Sequence, residues 1–315
     1  MKKEELQERI EKVIGKGDRF GLKVFAVLKE REKLSLKKFL ITDELREHLE
    51  ILVKEEIKTA YIAEEIKLET IDNILDESPK TIYEIEISEA FDPLSCVDDC
   101  EAVKKQYDQN DSHSLFGFLF RLNIDDTSVF YAFQQVYSVT KLDRKRSIYA
   151  YLSRDKAYEE IKKDIISIRH KIDMLILDGH IITGNIGMLE SKFGFDKVVR
   201  KKAKDTIEMI TEAGFVSNIE VLVQASEDSK LTIAKKLMHA SNMPVIKMEK
   251  EELIKRVCDH PRYSKVLKID NGSIKIENKT DIKNFLKLLN DDIVKSELTD
   301  VEYDSVSKKT LEPMP

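Results

Sequence analysis

At 315 residues, 42% hydrophobic and 36% charged, the chain has the length for one large or two ordinary domains with a real core. A net charge of −6 and a pI of about 5.7 exclude a protein coated in positive charge, so any nucleic-acid role must rest on local patches. No apolar run approaches the roughly 18 residues of a membrane span, no secretory pattern opens the chain, and Cys96, Cys100 and Cys258 make no disulfide framework; the expected setting is a reducing cytoplasm.

Residues 2 to 14 read as a short charged helix with Leu6, Ile10, Val13 and Ile14 on one face, ended by Gly15 and Gly17. Phe20 to Leu28 is an apolar strand segment. Thr42 caps a helix running to about Ile57, striped by Leu45, Leu49 and Leu52 or Val53, while Tyr61 to Leu75 is ambiguous. Thr81 to Ile87 alternates as a half-buried strand, and Asp92-Pro93 opens a helix to about Tyr107. The polar run Asp108 to Ser114 predicts a surface loop at a domain edge. Two aromatic and β-branched segments, Leu115 to Ile124 and Ser128 to Val139, predict strands. A basic turn from Lys141 to Arg146, a strand near Ile148 to Leu152 and a helix to about Arg169 follow.

The chain is organised around residues 172 to 204. The apolar run Ile172 to Leu177 is interrupted only by Asp173 and meets His180 to Thr183 across Asp178-Gly179, the strongest short-range hairpin signal. Ile186, Leu189, Glu190 and Phe193 then recur at helical spacing, Gly194 is a stop, and a second helix runs from about Asp196 to Ala213. Beyond it, Ile219 to Gln224 predicts a strand, and Ser229 to Ala240 and Glu249 to Val257 predict helices. Val266 to Ile276 forms a hairpin about Asn271-Gly272, and Thr280 caps a helix to about Leu289. Strands come in clusters without regular βαβ alternation. The expected class is therefore α+β, with mixed or antiparallel sheet regions and hairpins packed by helices. Two lobes are expected: residues 1–110 as an N-terminal α+β region and 111–315 as the core domain with the hairpin, the short helix and the basic helix.

Two clusters suit phosphates. On the second central helix, Val199, Ala203, Thr206, Ile207 and Ile210 share one face, and Lys197, Arg200, Lys201 and Lys204 fall on the other. A solvated helix face is the bland reading and on sequence alone ranks slightly ahead of binding; cations at a helix N-terminus oppose the macrodipole, and that local cost lends mild support to a functional reason. Arg144, Lys145 and Arg146 follow a strand bearing Phe130, Tyr131, Phe133 and Tyr137; a charged hairpin turn is the bland alternative, and convergence of the two clusters would make a phosphate-tracking groove. A nuclease-like Asp with Glu-x-Lys is sought in two places. Asp270 with Glu277 and Lys279 places its carboxylates roughly 13 Å apart along the hairpin, too far to share a metal. Asp173 or Asp178 with Glu190 and Lys192 puts the Glu-x-Lys on a helix. Cys96 and Cys100 lack further ligands at usual spacing, the six histidines are scattered, and no nucleophile elbow, P-loop or dinucleotide fingerprint occurs. No catalytic residue, metal site or cofactor is expected.

The run Asp173 to Asp178, then His180-Ile-Ile, Asn185, Leu189-Glu190 and Phe193-Gly-Phe195, resembles a bacterial family of uncharacterised-domain proteins, the KwaB family of the Kiwa antiphage defence system. Leu288 to Asp291, Ser296 to Thr299, Tyr303 and Ser307-Lys308 are similar to the family's closing pattern. The resemblance covers the second half to two thirds of the chain. One departure is Leu189, where an aromatic is expected before the Glu of the short helix. The resemblance implies a cytoplasmic protein recruited to the inner membrane by a small multi-span membrane partner, KwaA. It also implies binding of double-stranded DNA without marked sequence preference, directed against phage replication and late transcription. The reading is a non-catalytic DNA-binding defence effector that forms a homodimer. Its rivals are a metal-dependent nuclease and a scaffold or sensor linking the membrane partner to another factor.

Overall fold

In the computed structural model, the described residues are 1–15, 21–71, 80–88, 91–123, 129–137, 150–152, 157–160, 165–228, 230–296 and 298–305. The class is α+β, as expected. The chain divides into two compact units, one of Met1–Leu68 with Lys80–Asn185 and one of Glu69–Pro79 with Ile186–Pro315.

The first unit contains helix α1 (Lys3–Ile14), strands β1 (Gly21–Glu30) and β2 (Lys33–Lys38), helix α2 (Asp43–Ile57), the first two residues of strand β3 (Lys67–Thr70), and strands β4 (Thr81–Glu86), β5 (Leu115–Asn123) and β6 (Val129–Gln135). Strands β7 (Ala150–Leu152), β8 (Tyr158–Glu160), β9 (Met174–Leu177) and β10 (His180–Thr183) follow. Eight strands form one sheet in the order β2-β1-β5-β6-β9-β10-β4-β3, and its pairings from β2 through to β4 are antiparallel. The two units differ from the expected division at residue 110, because β1 and β5 are hydrogen-bonded neighbours in this sheet. Alternate residues of β1 (Leu22, Val24, Ala26, Leu28) and of β5 (Phe118, Phe120, Leu122) pack with Leu6, Ile10 and Ile14 of α1 and Leu49, Val53 and Ile57 of α2. The spacing of those helical residues places them on one stripe, which is why these two helices bury this face.

The other face is buried as well, through Phe25, Val27, Leu119, Phe133, Ile176 and Ile181. That corrects the reading of Thr81 to Ile87 as half-buried: β4 lies between β10 and β3, and Ile82, Tyr83, Glu84 and Ile85 are all buried. Thr42 does cap α2, its hydroxyl accepting from the Leu45 N–H at 3.3 Å, but Leu45 itself is exposed. The helix expected from Asp92 is reduced to 3₁₀ turns over Ser95–Ala102. Asp108 to Ser114 is a 3₁₀ turn with reciprocal Asp108 and Asp111 caps, so the polar run satisfies its own backbone. Where a helix to Arg169 was expected, Tyr158–Glu160 is strand β8, paired to β7.

The second unit holds helices α3 (Ile186–Phe193), α4 (Phe195–Glu212), α5 (Glu220–Ser226), α6 (Thr232–Ala240), α7 (Lys250–Asp259) and α8 (Tyr263–Val266), then strands β11 (Lys268–Asp270) and β12 (Ser273–Lys275), helix α9 (Lys279–Leu289), and strands β13 (Ile293–Lys295) and β14 (Glu302–Asp304). Phe195, Phe215, Leu237, Val257, Ile274 and Phe285 are almost fully buried. Ile219 to Gln224 lies in and beside helix α5, although its β-branched content reads as a strand; only Leu222 of this helix is buried. Asn278 rather than Thr280 caps α9, accepting from the N–H groups of Thr280 (2.8 Å) and Asp281 (3.2 Å). Among the described residues, no helix is long and apolar enough to cross a membrane.

Candidate nucleic-acid interface

Both turns that frame the expected central hairpin and helix follow from their residues. Asp178 and Gly179 carry φ of +48° and +77°, the pair a two-residue type I′ turn needs. Gly194 has φ +77° and separates α3 from α4, a left-handed position that costs other residues about 1–2 kcal/mol. Helix α4 starts there and, at 18 residues, runs for about 27 Å.

Phe195, Val199, Ala203, Thr206, Ile207 and Ile210 form its buried face. Helix α4 packs there against α3, α5 and α6, and Thr206 returns its hydroxyl to the Lys202 carbonyl at 2.8 Å. The opposite side carries Lys197, Lys201 and Lys204, all exposed. Their spacing of four and three residues puts the three ammonium groups on one stripe about 10 Å long. Among the described residues these three lysines enter no ion pair. Of the acidic residues of the same helix, Asp196 lies in the first turn beside Lys197, while Asp205, Glu208 and Glu212 lie towards the other end. The first half of the helix thus carries more cations than anions, and there the lysine charge adds to the positive end of the helix dipole.

Arg200 stands apart from the stripe. Its guanidinium donates to the carbonyl of Ser226 at 3.4 Å and of Asp228 at 3.1 Å, closing the end of α5. It is half-buried and its first duty is structural. The basic turn residues Arg144, Lys145 and Arg146 lie outside the described residues, so the interface described is the α4 stripe alone.

The carboxylates singled out for metal chemistry are engaged elsewhere. Asp173, 1% exposed, accepts from the Gln135 N–H (2.9 Å) and the Asn185 amide (3.3 Å), with Arg169 at 3.4 Å and Lys171 at 3.5 Å. A buried carboxylate with these partners is a fastener between β6, β9 and the residues after β10. Asp178 pairs with Arg9 of α1. Glu190 of α3 pairs with Lys235 of α6 at 2.9 Å. Glu277 lies between Lys268 (2.8 Å) and Lys275 (2.9 Å), and hydrogen bonds from the two ammonium groups pull its carboxyl down to about 2. The register of β11 and β12, with Asp270 opposite Ser273, keeps Asp270 and Glu277 at separate ends of that hairpin. Among the described residues, no three His, Cys, Asp or Glu side chains gather as a metal site.

Comparison with known proteins places the chain in a family. The family described as Kiwa protein KwaB-like matches residues 112–299. The Kiwa protein KwaB of Escherichia coli O55:H7 (strain RM12579 / EPEC) is 26% identical over 162 residues, covering 50% of this chain and 51% of that protein. The matched part thus spans about half the length of that relative. No solved structure matches the chain. With the family match covering more than half of its residues, the chain belongs to the Kiwa protein KwaB-like family.

Proposed function

We propose that this protein is an antiphage defence component that binds double-stranded DNA through the phosphate backbone, with Lys197, Lys201 and Lys204 of α4 among the contacts and no catalysis of its own. The observation that carries this reading is the lysine stripe, without an ion pair among the described residues, on a chain of net charge −6. A run of exposed cations on an otherwise acidic protein offers a local field to a polyanion, and backbone contacts of this kind carry no base preference. In this reading the protein works as a homodimer, is held at the inner membrane by the multi-span partner KwaA, and blocks phage replication and late transcription by occupying DNA. Arg144, Lys145 and Arg146 supply a second set of contacts. Against the nuclease rival stand the ion pairs that hold Asp173, Asp178, Glu190 and Glu277.

The test uses two duplexes of unrelated sequence and equal length, titrated by fluorescence anisotropy at low salt and then incubated with Mg²⁺ or Mn²⁺. Equal binding of both, with the DNA left intact, is expected. Metal-dependent cleavage abolished in Glu190→Gln would replace this reading with the nuclease, and no binding at low salt would leave only a scaffold.

A further inference from the structure

Outside α4, a second set of lysines among the described residues lacks counter-charges, and it lies in the eight-stranded unit. Strand β2 is the edge of that sheet. At its end, Lys38 forms an isolated parallel bridge with Gln106. The Lys38 N–H donates to the Lys105 carbonyl at 2.8 Å, and the Tyr107 N–H donates to the Lys38 carbonyl at 2.9 Å. Lys38, Lys104 and Lys105 are therefore brought together by backbone hydrogen bonds, on chains about 4.8 Å apart. All three side chains are exposed, and among the described residues none of them enters an ion pair.

The neighbouring cations behave differently. Lys37 pairs with Asp111 at 2.6 Å, and Lys23 and Arg121 share Glu101 at 3.5 and 2.7 Å. Those two acids are thus already taken, and Lys38, Lys104 and Lys105 keep their charges without an ion-pair partner among the described residues.

Lysines on an edge strand usually guard it against pairing with another chain. That explanation fails at Lys38, because the segment ending in Tyr107 already occupies the edge there and itself brings two of the three charges. A surface for an anionic bilayer would call for several exposed apolar side chains to insert. The one large apolar residue exposed beside Lys38 in β2 and its flanks is Leu40.

We infer that Lys38, Lys104 and Lys105, in the eight-stranded unit, are further phosphate-contacting residues for double-stranded DNA. This inference rests on the DNA-binding reading of α4 and extends it to the other unit.

The experiment compares three full-length proteins, the parent, Lys38→Glu/Lys104→Glu/Lys105→Glu, and Lys197→Glu/Lys201→Glu/Lys204→Glu. Each is titrated with one 30-bp duplex across a salt series and, separately, sedimented with vesicles of phosphatidylcholine and phosphatidylglycerol. The edge variant is expected to bind DNA at least tenfold more weakly at low salt. Its log–log salt slope should be shallower by about 0.9 for each phosphate it no longer neutralises. A Lys→Gln triple variant, which removes charge without reversing it, should show a smaller weakening in the same direction and guards against misfolding in the Glu variant. Parent-like affinity and slope in both edge variants, with binding abolished in the α4 variant, overturns the second patch and leaves the α4 reading standing. Vesicle binding that the parent shows and the edge variants lack, while their DNA affinity is unchanged, assigns the patch to lipid and overturns the inference. A parent that binds no duplex removes the DNA reading and this extension together.

Discussion

Replacing Asp173 with Ala tests whether this carboxylate is a fastener or a spare catalytic group. Its side chain is fully buried, and its removal leaves the Gln135 N–H, bonded at 2.9 Å, without an acceptor. An unsatisfied buried donor costs about 1–3 kcal/mol. The Asn185 amide loses a longer bond of 3.3 Å, worth about 0.5–1 kcal/mol at most. Arg169 and Lys171 are 30% and 49% exposed, so water recovers much of what their charges lose, and each contributes no more than about 0.5 kcal/mol. The total is about 3 kcal/mol. With a urea slope of about 2.5 kcal/mol/M, the midpoint of the eight-stranded unit should fall by about 1.2 M. The chain has no tryptophan, so far-UV circular dichroism follows the transition, and two units allow two transitions to be fitted separately. Asp173→Asn keeps the shape and one acceptor oxygen but turns an amide towards donors, so about half of that shift is expected. A midpoint change below about 0.3 M for the Ala variant would refute the fastening role and make Asp173 a functional candidate again.

Arg200→Ala should lower the melting temperature, because the Ser226 carbonyl loses its Arg200 donor and the Asp228 carbonyl keeps only the Leu231 N–H, at a cost of about 1 kcal/mol, whereas Lys201→Ala should change stability by less than about 0.5 kcal/mol; thermal melts of the two variants decide it, and equal melts contradict the assignment of Arg200. The Glu277 carboxyl, depressed from 4.5 to about 2 by Lys268 and Lys275, contributes stability that is fully present above about pH 4.5 and is lost as pH falls through about 2. A carbon-detected NMR titration should therefore find Glu277 still ionised at pH 3, and a midpoint near 4.5 would show that the lysine bracket does not form in solution.

Much of this was legible in the sequence because it depends on near neighbours. The Asp178-Gly179 and Asn271-Gly272 turns need two positive φ angles in a row, and both pairs have them. The wheel of α4 separates its buried residues from Lys197, Lys201 and Lys204 as its apolar spacing predicts. What was missed depends on distant partners. Arg200 reads like its lysine neighbours until the carbonyls 26 and 28 residues later are in place. Ile219 to Gln224 has the composition of a strand, yet forms a helix because one apolar residue, Leu222, is all that the packing asks it to bury. Strand β2 alternates Leu34 and Leu36 with polar residues but is too rich in lysine to be recognised as part of a sheet. The meeting of Lys38 with Lys104 and Lys105 depends on a bridge across almost seventy residues of sequence, which no local pattern encodes.

The most direct test of DNA binding through α4 is the salt dependence of duplex affinity for the parent and for Lys197→Glu/Lys201→Glu/Lys204→Glu, read alongside their melting temperatures. With three phosphates no longer neutralised, the log–log slope should shrink by about 2.7 and binding should weaken severely at physiological salt. The fold should be unaffected, since the three side chains are exposed and unpaired among the described residues. A variant that melts like the parent and binds DNA with the parent's affinity and slope would contradict the account.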